Sequence, residues 1–307
     1  MQRENNRDGP IPAWALAFGP LAVIGALVIA SFAAISRFEF DWLAVDGTGE
    51  ILVILTVVGF IAGILPVFVG MLWFPYFRLL GAEWIHAVLA FSAGLLTFIA
   101  FEMGEEAIEH AIEVPTELLG EVVIVLGAVL TIGFMELFSR WRREKSPAAS
   151  NDGLRVAYLV AIGLGLHSVG EGLAIGSAFV LGNSSLVVLL TVGFIIHNIT
   201  EGPAVISAVA RDSTSPPLRH FAVLGILAGG GVIIGGWLGS VVDSPLLAAV
   251  CFSIAFGAIA QVLWEMRGLI RSDAGSLLTR RTLPAFLVGI IVMFLLEEVI
   301  VDAWLLG

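Results

Sequence analysis

Residues 154–181 read LRVAYLVAIGLGLHSVGEGLAIGSAFVL, an apolar run with one histidine and one glutamate near its middle. A helix needs about 20 predominantly apolar residues to cross the hydrocarbon core of a bilayer, so this stretch predicts a membrane-spanning helix. The whole chain has the same character, because 58% of its residues are hydrophobic and only 13% are charged. These values exclude a soluble globular protein and a disordered chain. The sequence therefore predicts an all-α polytopic membrane protein.

The charge balance and the cysteine count limit the chemistry further. The net charge is −11, from 15 Lys and Arg against 26 Asp and Glu. Nucleic-acid binding needs a basic surface, so cations are the more natural partners. The single cysteine, Cys251, excludes an intramolecular disulfide and a thiolate cluster. Any metal site must therefore use histidine, carboxylate and amide ligands.

Nine apolar stretches are long enough to cross the bilayer. They cover approximately residues 11–36, 51–74, 84–104, 118–139, 154–181, 185–210, 218–243, 246–267 and 283–306. With nine spans, all of the 15 Lys and Arg residues except Arg37 fall on the side of the N-terminus. The positive-inside rule then places the N-terminus in the cytoplasm and the C-terminus outside. A cleaved signal peptide is the alternative for the first span, but FEFDW at residues 38–42 does not resemble a cleavage site.

A short motif occurs twice. HSVGEG at residues 167–172 on the fifth span recurs as HNITEG at residues 197–202 on the sixth. In each copy the histidine and the glutamate stand at positions i and i+4, which places both side chains on one helical face about one turn apart. Such a pair can chelate one ion.

The two copies are expected to meet. A short turn at residues 182–184 makes the two spans antiparallel neighbours, and both histidines lie about 15 residues, or roughly 22 Å, from that turn. Two imidazoles and two carboxylates can therefore converge near the middle of the membrane. An ionised carboxylate there costs about 2.5–3.5 kcal/mol, and a divalent cation would offset this cost. The alternative is that each pair only joins two helices by hydrogen bonds.

These residues resemble the ZIP (Zrt/Irt-like) family of divalent metal transporters, in its GufA-type prokaryotic branch, whose adjacent helices carry His-Asn-x-Pro-Glu-Gly-like motifs. The resemblance covers residues 51–307 and implies an eight-helix transport domain with a flexible cytoplasmic loop at 140–153. Residues 1–50 would add a cytoplasmic tail, an extra N-terminal transmembrane helix and an external loop.

The resemblance also implies roles for individual residues. The implied primary metal ligands are His167, Glu171, His197 and Glu201. Asn198 would belong to a second metal position beside them, and Ser168 stands where the family usually has asparagine. The run GGGVI at residues 229–233 replaces a glutamate that many members carry, so we expect one well-formed site with at most a weak neighbour.

Further acidic residues are candidates for an ion pathway. Glu102 and Glu106, with Glu109 and Glu113, follow helical spacing and would form an acidic face that attracts cations on the external side; the alternative is a solvated helix end. Toward the cytoplasm, Gln261 and Glu265 could pass an ion onward; the alternative is that Glu265 only pairs with Arg267 or a neighbouring loop arginine. In the ninth span, at least one of Glu297 and Glu298 is expected to face the bundle interior as a proton or metal way-station.

The resemblance implies import of Zn²⁺, or of Fe²⁺, Mn²⁺ or Cd²⁺, as a transported substrate and not as a cofactor. Imidazole plus carboxylate suits these ions better than Mg²⁺ or Ca²⁺. The protein is then no enzyme, but a homodimer in the cell membrane of a prokaryote. The alternatives are an intramembrane zinc-dependent hydrolase and a non-transporting metal sensor.

Overall fold

A computed structural model describes residues 12–37, 47–115, 119–145, 152–242, 244–274 and 279–296. Every regular element within these ranges is a helix. The α-helices are α1 Ala13–Arg37, α2 Thr48–Gly59, α3 Leu65–Met71, α4 Phe74–Phe77, α5 Ala82–Glu113, α6 Gly120–Lys145, α7 Asp152–Val180, α8 Ser184–Ala210, α9 Leu218–Gly229, α10 Gly231–Val241, α11 Pro245–Ala274 and α12 Thr282–Phe294. A π-helical turn, Phe60–Ile64, joins α2 to α3.

The described residues contain 7 helical segments that are long and apolar enough to cross a membrane. Each coincides with one of the predicted spans between residues 51 and 267, so the chain is an α-helical integral membrane protein. The first and ninth predicted spans overlap α1 and α12, and residues 297–307 lie outside the described residues. The count of nine spans and the orientation of the termini stay predictions.

The surface of the bundle is apolar, as a lipid-facing surface must be. On α6 the side chains of Leu130, Phe134 and Leu137 are 68%, 66% and 67% exposed. The buried set, in contrast, includes histidine, glutamate, asparagine and arginine side chains. This distribution is the reverse of that in a soluble protein, and it places the polar chemistry inside the bundle.

Helix α7 lies at the centre and packs against α8, α9, α10 and α11. Glycines bring the backbones into direct contact. A Cβ atom added at Gly235 of α10 would meet the Val169 carbonyl oxygen of α7, and one added at Gly165 would meet the Leu227 carbonyl oxygen of α9. Small residues at a helix interface permit this close approach. The backbone of α7 therefore packs directly against the backbones of α9 and α10.

A tight turn joins α7 to α8. Gly182 has φ 69°, and its N–H donates to the Phe179 carbonyl at 3.1 Å. Asn183 then caps α8, because its Oδ1 accepts from the Leu186 N–H at 3.1 Å. Glycine suits this left-handed position at the end of a helix. The turn makes α7 and α8 adjacent and antiparallel, as predicted.

The predicted cytoplasmic loop at 140–153 is shorter than expected. Helix α6 continues to Lys145 and α7 begins at Asp152, while residues 146–151 lie outside the described residues. The start of α7 is capped by a side chain from the turn after α8, since the Asp212 carboxylate accepts from the N–H groups of Gly153 and Leu154 at 3.1 and 3.0 Å. This capping replaces the partners that a helix start lacks.

Candidate metal centre

The two motif copies meet inside the bundle. His167 and Glu171 come from α7, and His197 and Glu201 come from α8. The Nε2 atoms of the two histidines lie 3.3 Å apart, and the rings are stacked with their centroids 5.3 Å apart. The predicted convergence of the two copies is confirmed.

The two carboxylates approach this pair almost symmetrically. Glu171 Oε1 lies 3.4 Å from His167 Nε2 and 3.7 Å from His197 Nε2. Glu201 Oε1 lies 3.4 Å from His197 Nε2 and 3.7 Å from His167 Nε2. Tetrahedral zinc with bonds of 2.0–2.2 Å sets its ligand atoms about 3.3–3.6 Å apart. These five distances are therefore close to those of a tetrahedral site, and the four residues offer ligand atoms that all lie within 4.8 Å of one another.

Burial makes this arrangement costly without a cation. The relative exposures are 2% for His167, 5% for Glu171, 4% for His197 and 2% for Glu201. Glu171 Oε1 and both carboxylate oxygens of Glu201 are buried without a hydrogen-bond partner. A buried carboxylate is unfavourable unless it is paired or coordinates a metal. The donor set thus fits one divalent cation that prefers nitrogen and oxygen ligands.

The histidine of α7 has a neighbour that sequence reasoning missed. Met103 of α5 places its Sδ 3.1 Å from His167 Nδ1. With a proton on Nδ1 facing this sulfur, Nε2 presents its lone pair to the space between the four ligands, where an ion would bind. A methionine inside an apolar helix gives no sequence signal of such a contact.

The residue that follows the histidine is Ser168 in the α7 copy and Asn198 in the α8 copy, and the two have different contacts. Asn198 Nδ2 lies 2.8 Å from Glu171 Oε2 and 3.1 Å from the Ala62 carbonyl oxygen. Ser168, at the matching position of the first copy, donates from its hydroxyl to the Ala228 carbonyl at 3.2 Å. Asn198 is thus in contact with a candidate ligand, whereas Ser168 ties α7 to α9.

A cavity of about 520 Å³ reaches the centre from one end of the bundle. At its inner end it is lined by His167, Glu171 and His197. Its outer end is lined by Glu106 and Glu113, whose side chains are 42% and 64% exposed. The cavity therefore joins the surface to three of the four candidate ligands.

The predicted acidic face forms part of this cavity wall. Glu102, Glu106 and Glu113 line it, whereas Glu109 is exposed and is not among the lining residues. His110 lies between two of these glutamates, with its Nε2 3.5 Å from Glu106 Oε2 and its Nδ1 3.7 Å from Glu113 Oε2. Its ring stacks on Phe252 of α11 at a centroid distance of 5.5 Å.

The two candidates at the opposite end of the bundle are engaged with protein groups. Gln261 Nε2 donates to Glu136 Oε2 at 2.6 Å. Glu265 Oε1 lies 3.0 Å from Arg155 Nη1 and accepts from the Ser139 hydroxyl. Glu265 therefore pairs with an arginine, and this arginine is Arg155 of α7, whereas the sequence pointed to Arg267 or a loop arginine.

Glu297 and His220 are two further titratable residues. Glu297 lies outside the described residues, so its predicted role in the pathway stays a prediction. His220 lies apart from the four ligands, with its Nδ1 2.8 Å from the Tyr158 hydroxyl.

The sequence matches no model of a known protein family and none of the curated proteins with which it was compared. Function must therefore be inferred from the centre and the cavity.

Proposed function

We propose that this protein transports a divalent transition metal, with Zn²⁺ as the first candidate, into the cytoplasm. The observation that supports this proposal is the cavity that leads from an exposed acidic helix end to buried imidazole and carboxylate ligands. The acidic mouth would raise the local concentration of cations. The centre would then bind one of them away from water.

The ligand set favours a borderline cation. Two imidazoles and two carboxylates suit Zn²⁺, Fe²⁺ or Mn²⁺, whereas Mg²⁺ and Ca²⁺ prefer oxygen ligands alone. The cation is a substrate here, so the site has to release it again. Its affinity falls when ligands are protonated, because metal-bound histidine and glutamate must be deprotonated.

The proposal includes the ZIP-like architecture that the repeated motif resembles. Nine spans with the N-terminus inside would direct the cavity mouth outward and the Arg155–Glu265 pair toward the cytoplasm. A homodimer in the cell membrane of a prokaryote completes this proposal.

Transport then needs a second conformation. The cavity described above ends at the ligands, so release to the cytoplasm requires the helices that carry the centre to move relative to their neighbours. Alternation between two such states is how a carrier couples binding on one side to release on the other.

The test is ⁶⁵Zn²⁺ uptake into proteoliposomes by the wild type, His167→Ala and Glu201→Ala, with His220→Ala as the control. Saturable uptake that is lost in the first two variants and kept in the control supports the proposal. Competition by Mn²⁺, Fe²⁺ and Cd²⁺ then ranks the ions. Stoichiometric bound zinc without uptake would contradict transport and favour the hydrolase or sensor alternative.

A further inference from the structure

We infer that Asn198 is a positioning residue of the metal centre: its amide fixes Glu171 so that one carboxylate oxygen, Oε1, faces the ion. The inference rests on the proposed metal site. It gives Asn198 a role through Glu171 and not as a ligand of the ion.

The orientation of the amide follows from its two neighbours. Asn198 Nδ2 lies 2.8 Å from Glu171 Oε2 and 3.1 Å from the Ala62 carbonyl oxygen. A carboxylate and a carbonyl accept hydrogen bonds and cannot donate them, so the amide nitrogen and not the amide oxygen must face both. Both amide hydrogens are therefore used, and the side chain is fully buried at 0% exposure.

The Ala62 carbonyl is available because of the local sequence. Pro66 follows Ala62 by four residues and has no N–H to donate to it. The π-helical turn Phe60–Ile64 lies at this place in the span. Such turns interrupt the regular α-helical hydrogen bonds and often occur at functional sites. The backbone of another span thus anchors the Asn198 amide, and its second hydrogen is directed at Glu171.

The anchored amide determines how Glu171 can bind. With Oε2 held by Asn198, Oε1 is the oxygen directed at the ion, since it lies 3.4 and 3.7 Å from the two histidine Nε2 atoms. Glu171 then supplies one oxygen, which preserves four-coordinate binding of the kind that zinc prefers. A carboxylate that can use both oxygens favours ions with more ligands, such as Mn²⁺.

The test compares Asn198→Ala with Ser168→Ala in the purified full-length protein. Both changes remove one buried hydrogen-bonding side chain at matching positions of the two copies, but only Asn198 contacts a ligand. Zn²⁺ affinity is measured by titration calorimetry, and the ligand geometry by the visible absorption of bound Co²⁺. For Asn198→Ala we expect a roughly 10- to 100-fold loss of Zn²⁺ affinity, an altered Co²⁺ spectrum and a relative gain for Mn²⁺.

A double-mutant cycle separates positioning from a merely structural role. In a Glu171→Ala background, Asn198→Ala should cause no further loss of Zn²⁺ affinity, because its action passes through Glu171. Pro66→Ala supplies a competing N–H for the Ala62 carbonyl and should give a smaller loss than Asn198→Ala. If Asn198→Ala does not fold, Asn198→Ser tests the same point, since serine stands at this position in the other copy.

The outcomes distinguish this inference from the proposed function. A wild type that binds no Zn²⁺ overturns both. A wild type that binds Zn²⁺, with Asn198→Ala unchanged in affinity and Co²⁺ spectrum, overturns the positioning role alone. An equal loss in Ser168→Ala would also overturn it, because Ser168 does not contact a ligand.

Discussion

The two copies of the motif share their histidine, glutamate and final glycine but differ in their surroundings. The α7 copy faces the cavity, which His167, Gly170 and Glu171 all line. The α8 copy contributes only His197 to the lining, and the matching residues Thr200 and Glu201 are not part of it. Thr200, which matches Gly170, donates its hydroxyl to the His197 carbonyl at 2.7 Å.

The difference also concerns how the ligands are held. One oxygen of Glu171 accepts a hydrogen bond from Asn198, whereas neither oxygen of Glu201 has a hydrogen-bond partner. The distances from the glutamates to the histidines are nevertheless alike, at 3.4 and 3.7 Å for each. The repeat therefore supplies similar ligands to one centre, while the residues around each copy determine orientation and access.

The largest effect should come from removing either histidine. His167→Ala and His197→Ala should each reduce ⁶⁵Zn²⁺ uptake to background and abolish stoichiometric Zn²⁺ binding, because both imidazoles serve one ion. Binding measured by calorimetry, together with uptake, checks this. If either variant kept half of the bound zinc, the copies would be two separate sites and the shared centre would be wrong.

Replacing each of the two glutamates by glutamine should lower the Zn²⁺ affinity by different amounts. In Glu171→Gln the amide cannot direct an oxygen both at Asn198 and at the ion, so we expect an affinity loss above the roughly 10- to 100-fold range of residues that only support a ligand. In Glu201→Gln no hydrogen bond dictates the orientation, so the amide oxygen can turn to the ion and the loss should be smaller, within that range. Calorimetry with Zn²⁺ measures both variants. Equal losses would contradict the asymmetry between the copies.

The centre itself could be predicted from the sequence. The i, i+4 spacing fixes one helical face, and the short turn at Gly182 and Asn183 sets the depth of both histidines. Both features depend only on residues that are close in the sequence, because the period and the rise of a helix determine the face and the depth of each side chain. The seven spans between residues 51 and 267 could be predicted for the same reason, since apolar length alone defines them.

Contacts between distant spans could not be predicted in this way. Nothing in the order of residues places Met103 beside His167, or Arg155 beside Glu265, because these pairs depend on how whole helices pack. The Ala62 carbonyl is an intermediate case. Because Pro66 has no N–H, the sequence indicates that the carbonyl of Ala62, four residues earlier, needs another donor. Only the packed structure identifies Asn198 as that donor.

Access through the α7 copy can be tested at Gly170. A Cβ atom added there would meet the Phe252 ring, and Gly170 and Phe252 both line the cavity. Gly170→Ala should therefore slow Zn²⁺ uptake several-fold while leaving equilibrium affinity near that of the wild type. Thr200→Ala is the matched change in the other copy and should leave the uptake rate unchanged. Equal slowing in both variants would show that the two helices do not differ in access.

The smallest effect should come from the mouth of the cavity that the α7 copy faces. Glu106 lines the cavity and the adjacent Glu105 does not, so Glu106→Gln and Glu105→Gln remove the same charge from neighbouring positions. We expect Glu106→Gln to lower the initial rate of Zn²⁺ uptake at low ionic strength by less than about 10-fold. The difference in initial rate between Glu106→Gln and the wild type should vanish near 1 M salt, where the screening length is only about 3 Å. Initial rates measured across a salt series check this. Attraction by the cavity itself requires a larger effect from Glu106, which lines it, than from Glu105. An equal effect in Glu105→Gln would contradict this and mean that the overall negative charge attracts the ion.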